Sequence, residues 1–195
     1  MTRNDAYEQY HRWLECRRWS LAEDRPFSIG LEGSDAGICT EIGLEVAKYL
    51  CDVDGDAPGG WLFFGEDIVS RVATERGIAA LAEAFPEIAS RSYTPCSERR
   101  CGFLSDVTRL GGAVLFLPHA CKSLRNHSDL FVAGIQSGGP DGEGGSDVRG
   151  DLTIDLERIG RDTAIRVIAD SALEWALARP GPTPSSVADD NPWKS

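Results

Sequence analysis

Apolar residues in this chain come in short unbroken runs, separated by stretches in which they recur every three or four positions. Phe27-Ser28-Ile29-Gly30-Leu31, Trp61-Leu62-Phe63-Phe64, Ala113-Val114-Leu115-Phe116-Leu117, Asp129-Leu130-Phe131-Val132-Ala133-Gly134-Ile135 and Leu152-Thr153-Ile154-Asp155-Leu156 read as five strands. Ile42, Val46, Tyr49, Leu50 and Val53 share one helical stripe, which predicts a helix from about Cys39 to Leu50. Gly65-Glu66-Asp67 opens another helix, with acidic residues in the turn that favours them. Residues 77–111 hold two more helical patterns, the later one carrying Phe103, Val107 and Leu110. A closing helix runs from near Asp162 to Ala178, with Ile165, Ile168, Ala172, Trp175 and Ala176 on one face.

Strands that are apolar throughout, alternating with helices, predict a sheet buried on both sides. The expected fold is therefore α/β, a three-layer sandwich around a five-stranded, mostly parallel sheet. Residues 1–25 form an N-terminal helical extension in which Tyr7, Tyr10, Trp13 and Trp19 interleave with charge. It either packs over one face of the domain or offers an aromatic surface to a protein partner or a second copy. The domain itself spans 26–179. The Pro/Ser/Asp-rich tail, 180–195, reads as disordered.

Ligands of parallel sheets gather at the carboxyl ends of the strands. Four loops converge there: the glycine turn after Leu31, Pro118–Arg125, Gln136–Gly150 and Glu157–Arg161. The first reads Gly33-Ser34-Asp35-Ala36-Gly37-Ile38-Cys39-Thr40 and leads into the helix. Laid on the phosphate-loop pattern G-x-x-x-x-G-K-[ST], Gly33 and Thr40 fit, while Ile38 and Cys39 stand at the second glycine and the lysine. The layout predicts a concave nest of amides over 33–40 at the head of the helix. Cys39 reads as a small residue filling a tight turn, the alternative being a thiol activated by the helix end.

Composition narrows the picture. A net charge of −11 and a pI near 4.7 disfavour general nucleic-acid binding and leave room for a small basic pocket. No apolar run approaches the roughly 18–20 residues of a membrane span, and the charged first twenty residues do not resemble a signal peptide, so a cytoplasmic location is the default. The six cysteines are scattered and read as reduced thiols. The closest pair, Cys96 and Cys101, lacks further ligands at metal spacing.

The order of these motifs resembles the cytidylate-kinase-like family of P-loop nucleoside monophosphate kinases. Ser28-Ile29, the Gly33–Gly37 turn, Glu41-Ile42-Gly43, Ala47-Lys48-Tyr49-Leu50, Phe64-Gly65-Glu66-Asp67-Ile68 and the closing Arg158-Ile159-Gly160 carry the resemblance, which covers about residues 26–178. It implies a P-loop kinase-like fold, ATP and Mg2+ as cofactors, and a small-molecule nucleotide such as CMP as phosphate acceptor. It further implies that Gly33, Ser34, Asp35, Gly37, Thr40 and Arg158 bind the nucleotide, that Thr40 holds the magnesium, and that Lys122 and Arg125 supply catalytic positive charge. The alternative role for each of these side chains is a solvated charge or a helix cap. The chain departs from the family in having no Lys or Arg in the glycine turn, Pro118-His119-Ala120 in place of a G-R-G-like turn, and a glycine-rich Ser137–Gly150 with Arg149 in place of an arginine-bearing lid. Two functions follow: a kinase transferring phosphate from ATP to a nucleoside monophosphate, or a catalytically degenerate relative that works as a binding or interaction module. A cysteine-based redox or metal protein is a third, more distant reading.

Overall fold

The computed structural model of the chain describes residues 2–20, 26–53, 60–88, 96–137 and 150–179. The expectations for the lid (with Arg149) and for the tail fall outside them. Five strands form, β1 (Ser28–Gly33), β2 (Leu62–Phe64), β3 (Ala113–Phe116), β4 (Leu130–Gln136) and β5 (Leu152–Asp155). They make one sheet in the order β2-β3-β1-β4-β5, and every neighbouring pair is parallel. The helices are α1 (Arg3–Ser20), α2 (Ala36–Val53), α3 (Glu66–Val72), α4 (Glu75–Ala84), α5 (Cys96–Leu110), α6 (Leu156–Ile159) and α7 (Arg161–Ala178), with a short 3-10 helix at His119–Asn126 between β3 and β4.

Both sheet faces are covered, as continuous apolar strands require. On one face Ile29, Leu31, Val114, Phe131 and Ala133 pack against Ile42, Val46 and Leu50 of α2 and Ala164, Ile168 and Ala172 of α7. Gly43 lets α2 lie this low: a Cβ there would stand 2.3 Å from the Phe63 ring. On the other face Phe64, Leu115, Leu130 and Val132 meet α1, α3 and α5 through Tyr10, Trp13, Val72, Phe103 and Val107. The result is the expected three-layer α/β sandwich.

Helix α1 is a structural member of the second layer. Tyr7, Tyr10 and Trp13 are buried, and each polar tip finds a partner. Tyr10 donates to the Gly77 carbonyl at 3.1 Å, Trp13 Nε1 donates to the Gly112 carbonyl at 2.8 Å, and Tyr7 is bonded to Thr74. Tyr7, Tyr10 and Trp13 of the proposed contact surface are thus spent on the core, because rings of that size bury most favourably where a polar handle can also be satisfied; the side chain of Trp19 lies outside the described residues. A second correction concerns the thiols. Cys101 of α5 and Cys121 of the 3-10 helix are joined as a disulfide, while Cys39 and Cys51 are free thiols. The two partners are 20 residues apart in sequence, and only the packing of α5 on the 3-10 helix brings them together. Among the described residues, no helix is long and apolar enough to cross a membrane.

Candidate functional site

The chain leaves β1 toward β2 on one side and leaves β4 toward β5 on the other. Connections that diverge in this way open a crevice between the carboxyl ends of the two strands. Gly33, the last residue of β1, stands in register with Ile135 of β4 at that point. The glycine turn, α2 and the 3-10 helix border it.

The turn is much shorter than a phosphate loop. The strand continues two residues past the expected Leu31, and the helix starts three residues before the expected Cys39, so only Ser34 and Asp35 connect them. Asp35 is the reason. Its Oδ1 accepts hydrogen bonds from the amides of Gly37 at 2.8 Å and Ile38 at 3.0 Å, and its carbonyl accepts from Cys39 N at 3.0 Å. This is the N-cap geometry that Asp favours, with the side chain satisfying the second and third amides of the helix. Two of the donors that a phosphate would need are therefore taken by a carboxylate of the chain itself. The concave nest expected over 33–40 is replaced by a capped turn.

The other residues at this point are committed in the same way. Thr40, expected to hold magnesium, donates its hydroxyl to the Ala36 carbonyl at 2.7 Å inside the first turn of α2. Gly33 is required for close packing: a Cβ there would lie 2.7 Å from Cys39 Sγ and 2.9 Å from the Ile135 carbonyl. Cys39 is fully buried behind it. Burial, followed by the negative charges of Asp35 and Glu32, pushes its thiol up to about 11. The cysteine is thus a protonated space-filler with the Asp35 and Glu32 carboxylates near it. Among the described residues there is no cluster of His, Cys, Asp or Glu able to hold a metal ion.

The expected cations are differently engaged. Arg125, on the 3-10 helix, is ion-paired through Nε with Oε1 of Glu32, a buried residue of β1. Its charge is drawn onto a buried carboxylate of the chain. Lys122 belongs to the same 3-10 helix by its backbone, but its side chain lies outside the described residues. Arg158 is exposed on α6, beyond the edge strand β5 and two strands from the turn, and its amide donates to Asp35's counterpart cap, Asp155 Oδ1, at 3.3 Å. The structure thus brings Gly33, Ser34, Asp35, Gly37 and Thr40 together at one end of the sheet, and Arg158 follows β5 at that same end, in the segment leading to Arg161, which pairs with Glu41 of α2.

Sequence reasoning did not foresee Glu32. Its signal was present as a charge directly after the apolar Ile29-Gly30-Leu31, inside a strand buried on both faces. Such a residue almost always has a buried partner. Its second oxygen, Oε2, is buried without a hydrogen-bond partner among the described residues. Comparison with protein-family models, with curated proteins and with solved structures finds no match for this chain.

Proposed function

We propose that this protein is a kinase-like binding protein that transfers no phosphoryl group, the degenerate alternative of the two functions above. The observation that carries this reading is the Asp35 cap. Phosphoryl transfer depends on neutralising and positioning the migrating group, and here the head of α2 is already occupied by a carboxylate bonded to the Gly37 and Ile38 amides. A triphosphate at that point would meet Asp35 instead of free N–H groups, with Glu32 close by and no lysine in the turn. Losing one such cation alone costs on the order of 10²–10³ in rate. Arg125, the cation best placed to compensate, is engaged by Glu32.

The test is an assay of ADP formation by the full chain with Mg-ATP and each nucleoside monophosphate in turn. The expected outcome is a rate equal to that without acceptor. Acceptor-dependent ADP formation that disappears in Thr40→Val would overturn the proposal and restore the ATP- and Mg2+-dependent kinase reading.

A further inference from the structure

A cavity of about 420 Å³ opens between α1, α3, α4 and α5, away from the turn after β1. Its most unusual property is its charge. In a chain of net charge −11, four arginines line one hollow: Arg3 of α1, Arg76 of α4, and Arg99 and Arg100 of α5. Among the described residues, Glu75 is the one acidic residue of the lining. Among the described residues, none of the four guanidiniums has a carboxylate within ion-pair distance. Like charges gathered around one hollow repel each other, and an acidic protein has carboxylates to spare for relieving that repulsion. Among the described residues they are not so placed.

Two of the four, both exposed, lie against one aromatic ring. The Cζ of Arg76 lies 5.0 Å from the centroid of the Tyr7 ring and that of Arg3 lies 6.0 Å from it, both within cation–π range. Tyr7 itself is buried and anchored by its hydroxyl to Thr74, so the ring is a fixed platform for the two cations. Arg99 and Arg100 approach from α5 and are half-buried. The hydroxyls of the lining are already employed: Ser70 donates to the Asp67 carbonyl, and Thr74 accepts from Gly77 N to cap α4. The recognition chemistry left free is guanidinium. Val69 and Ala73, both buried, supply an apolar floor.

We propose that this cavity is a binding site for a small phosphorylated molecule carrying at least two phosphate groups. Planar guanidiniums pair bidentately with phosphate oxygens, and the volume lies in the range of small-molecule pockets. Two or more phosphates match four cations lining one hollow better than a single anion does, because each cation left unpaired retains its repulsion. The pocket shares no lining residue with the turn after β1. Its occupancy and the absence of phosphoryl transfer are therefore tested separately, and either can fail alone.

The test is calorimetric titration of the full chain with inorganic pyrophosphate, and in parallel with monophosphate, at about 0.15 M salt, where diffuse surface attraction is screened. Pyrophosphate is expected to bind measurably and more tightly than monophosphate. Arg99→Ala with Arg100→Ala is expected to weaken it by at least about tenfold, and Arg166→Ala, an exposed arginine on α7, is expected to leave it unchanged. Circular dichroism of the double variant verifies that it folds, and Arg76→Ala provides a second variant should it not. No binding of pyrophosphate by the unaltered chain overturns the proposal. So does binding that the pocket variants retain in full, or that Arg166→Ala weakens equally.

Discussion

Cys39 shows how a single side chain reports on its surroundings. Its thiol titrates near 9.0 in an unfolded chain and at about 11 in the folded one, so between those values the folded state keeps a proton that the unfolded state has lost. The folded state then binds more protons, and stability must fall as pH rises through this window. Denaturant titrations at pH 8 and pH 10 should show this fall, and Cys39→Ala should show a shallower one. An identical pH dependence in the variant would remove Cys39 from the account. The Glu32–Arg125 pair is a second residue-scale case. Removing one partner of a buried pair leaves an uncompensated charge at a cost of about 3–5 kcal/mol. Arg125 keeps 24% of its side chain exposed, so Arg125→Leu is expected at the low end, about 3 kcal/mol. Combining it with Glu32→Met should recover most of the loss, since two apolar side chains need no partner. Urea midpoints of the single and double variants decide this.

At the scale of elements, the junction of β1 and α2 is where a familiar pattern takes on a different geometry. A strand, a glycine turn and an amphipathic helix are all present, but the turn has only Ser34 and Asp35 because the strand runs longer and the helix starts earlier than periodicity indicated. The early start was legible in principle: Asp35 followed by Ala36, Gly37 and Ile38 is an N-cap followed by residues too small or too few to show a period. The link between α5 and the 3-10 helix is the other element-scale feature. Closing a loop of 20 residues removes denatured-state entropy worth about 3 kcal/mol. Paired Cys101→Ser and Cys121→Ser substitutions are expected to lower unfolding stability by about that amount, as is a strong reductant. A stability indifferent to both would mean that the bond contributes nothing in solution.

At the scale of the whole molecule, α1 closes one face of the sandwich although it precedes the first strand. Removing residues 1–20 would expose Phe64 and Phe103, which pack against Tyr10, and would leave the Gly77 and Gly112 carbonyls without the Tyr10 and Trp13 donors. The truncated chain is expected to lose cooperative unfolding in a thermal melt, whereas a separable extension would leave the melt unchanged. The sequence alone determined the five strands, the helices between them and the parallel sheet with two covered faces, because apolar periodicity and unbroken apolar runs are local and each strand carries its own. The tertiary structure alone decided the sheet order, the burial of Tyr7, Tyr10 and Trp13, the Glu32–Arg125 pair across 93 residues, the Cys101–Cys121 bond and the gathering of Arg3, Arg76, Arg99 and Arg100 around one hollow. Each of these depends on which segments become neighbours in space. That is set by how the helices distribute between the two faces of the sheet, a free energy of the assembled chain that no window of neighbouring residues contains.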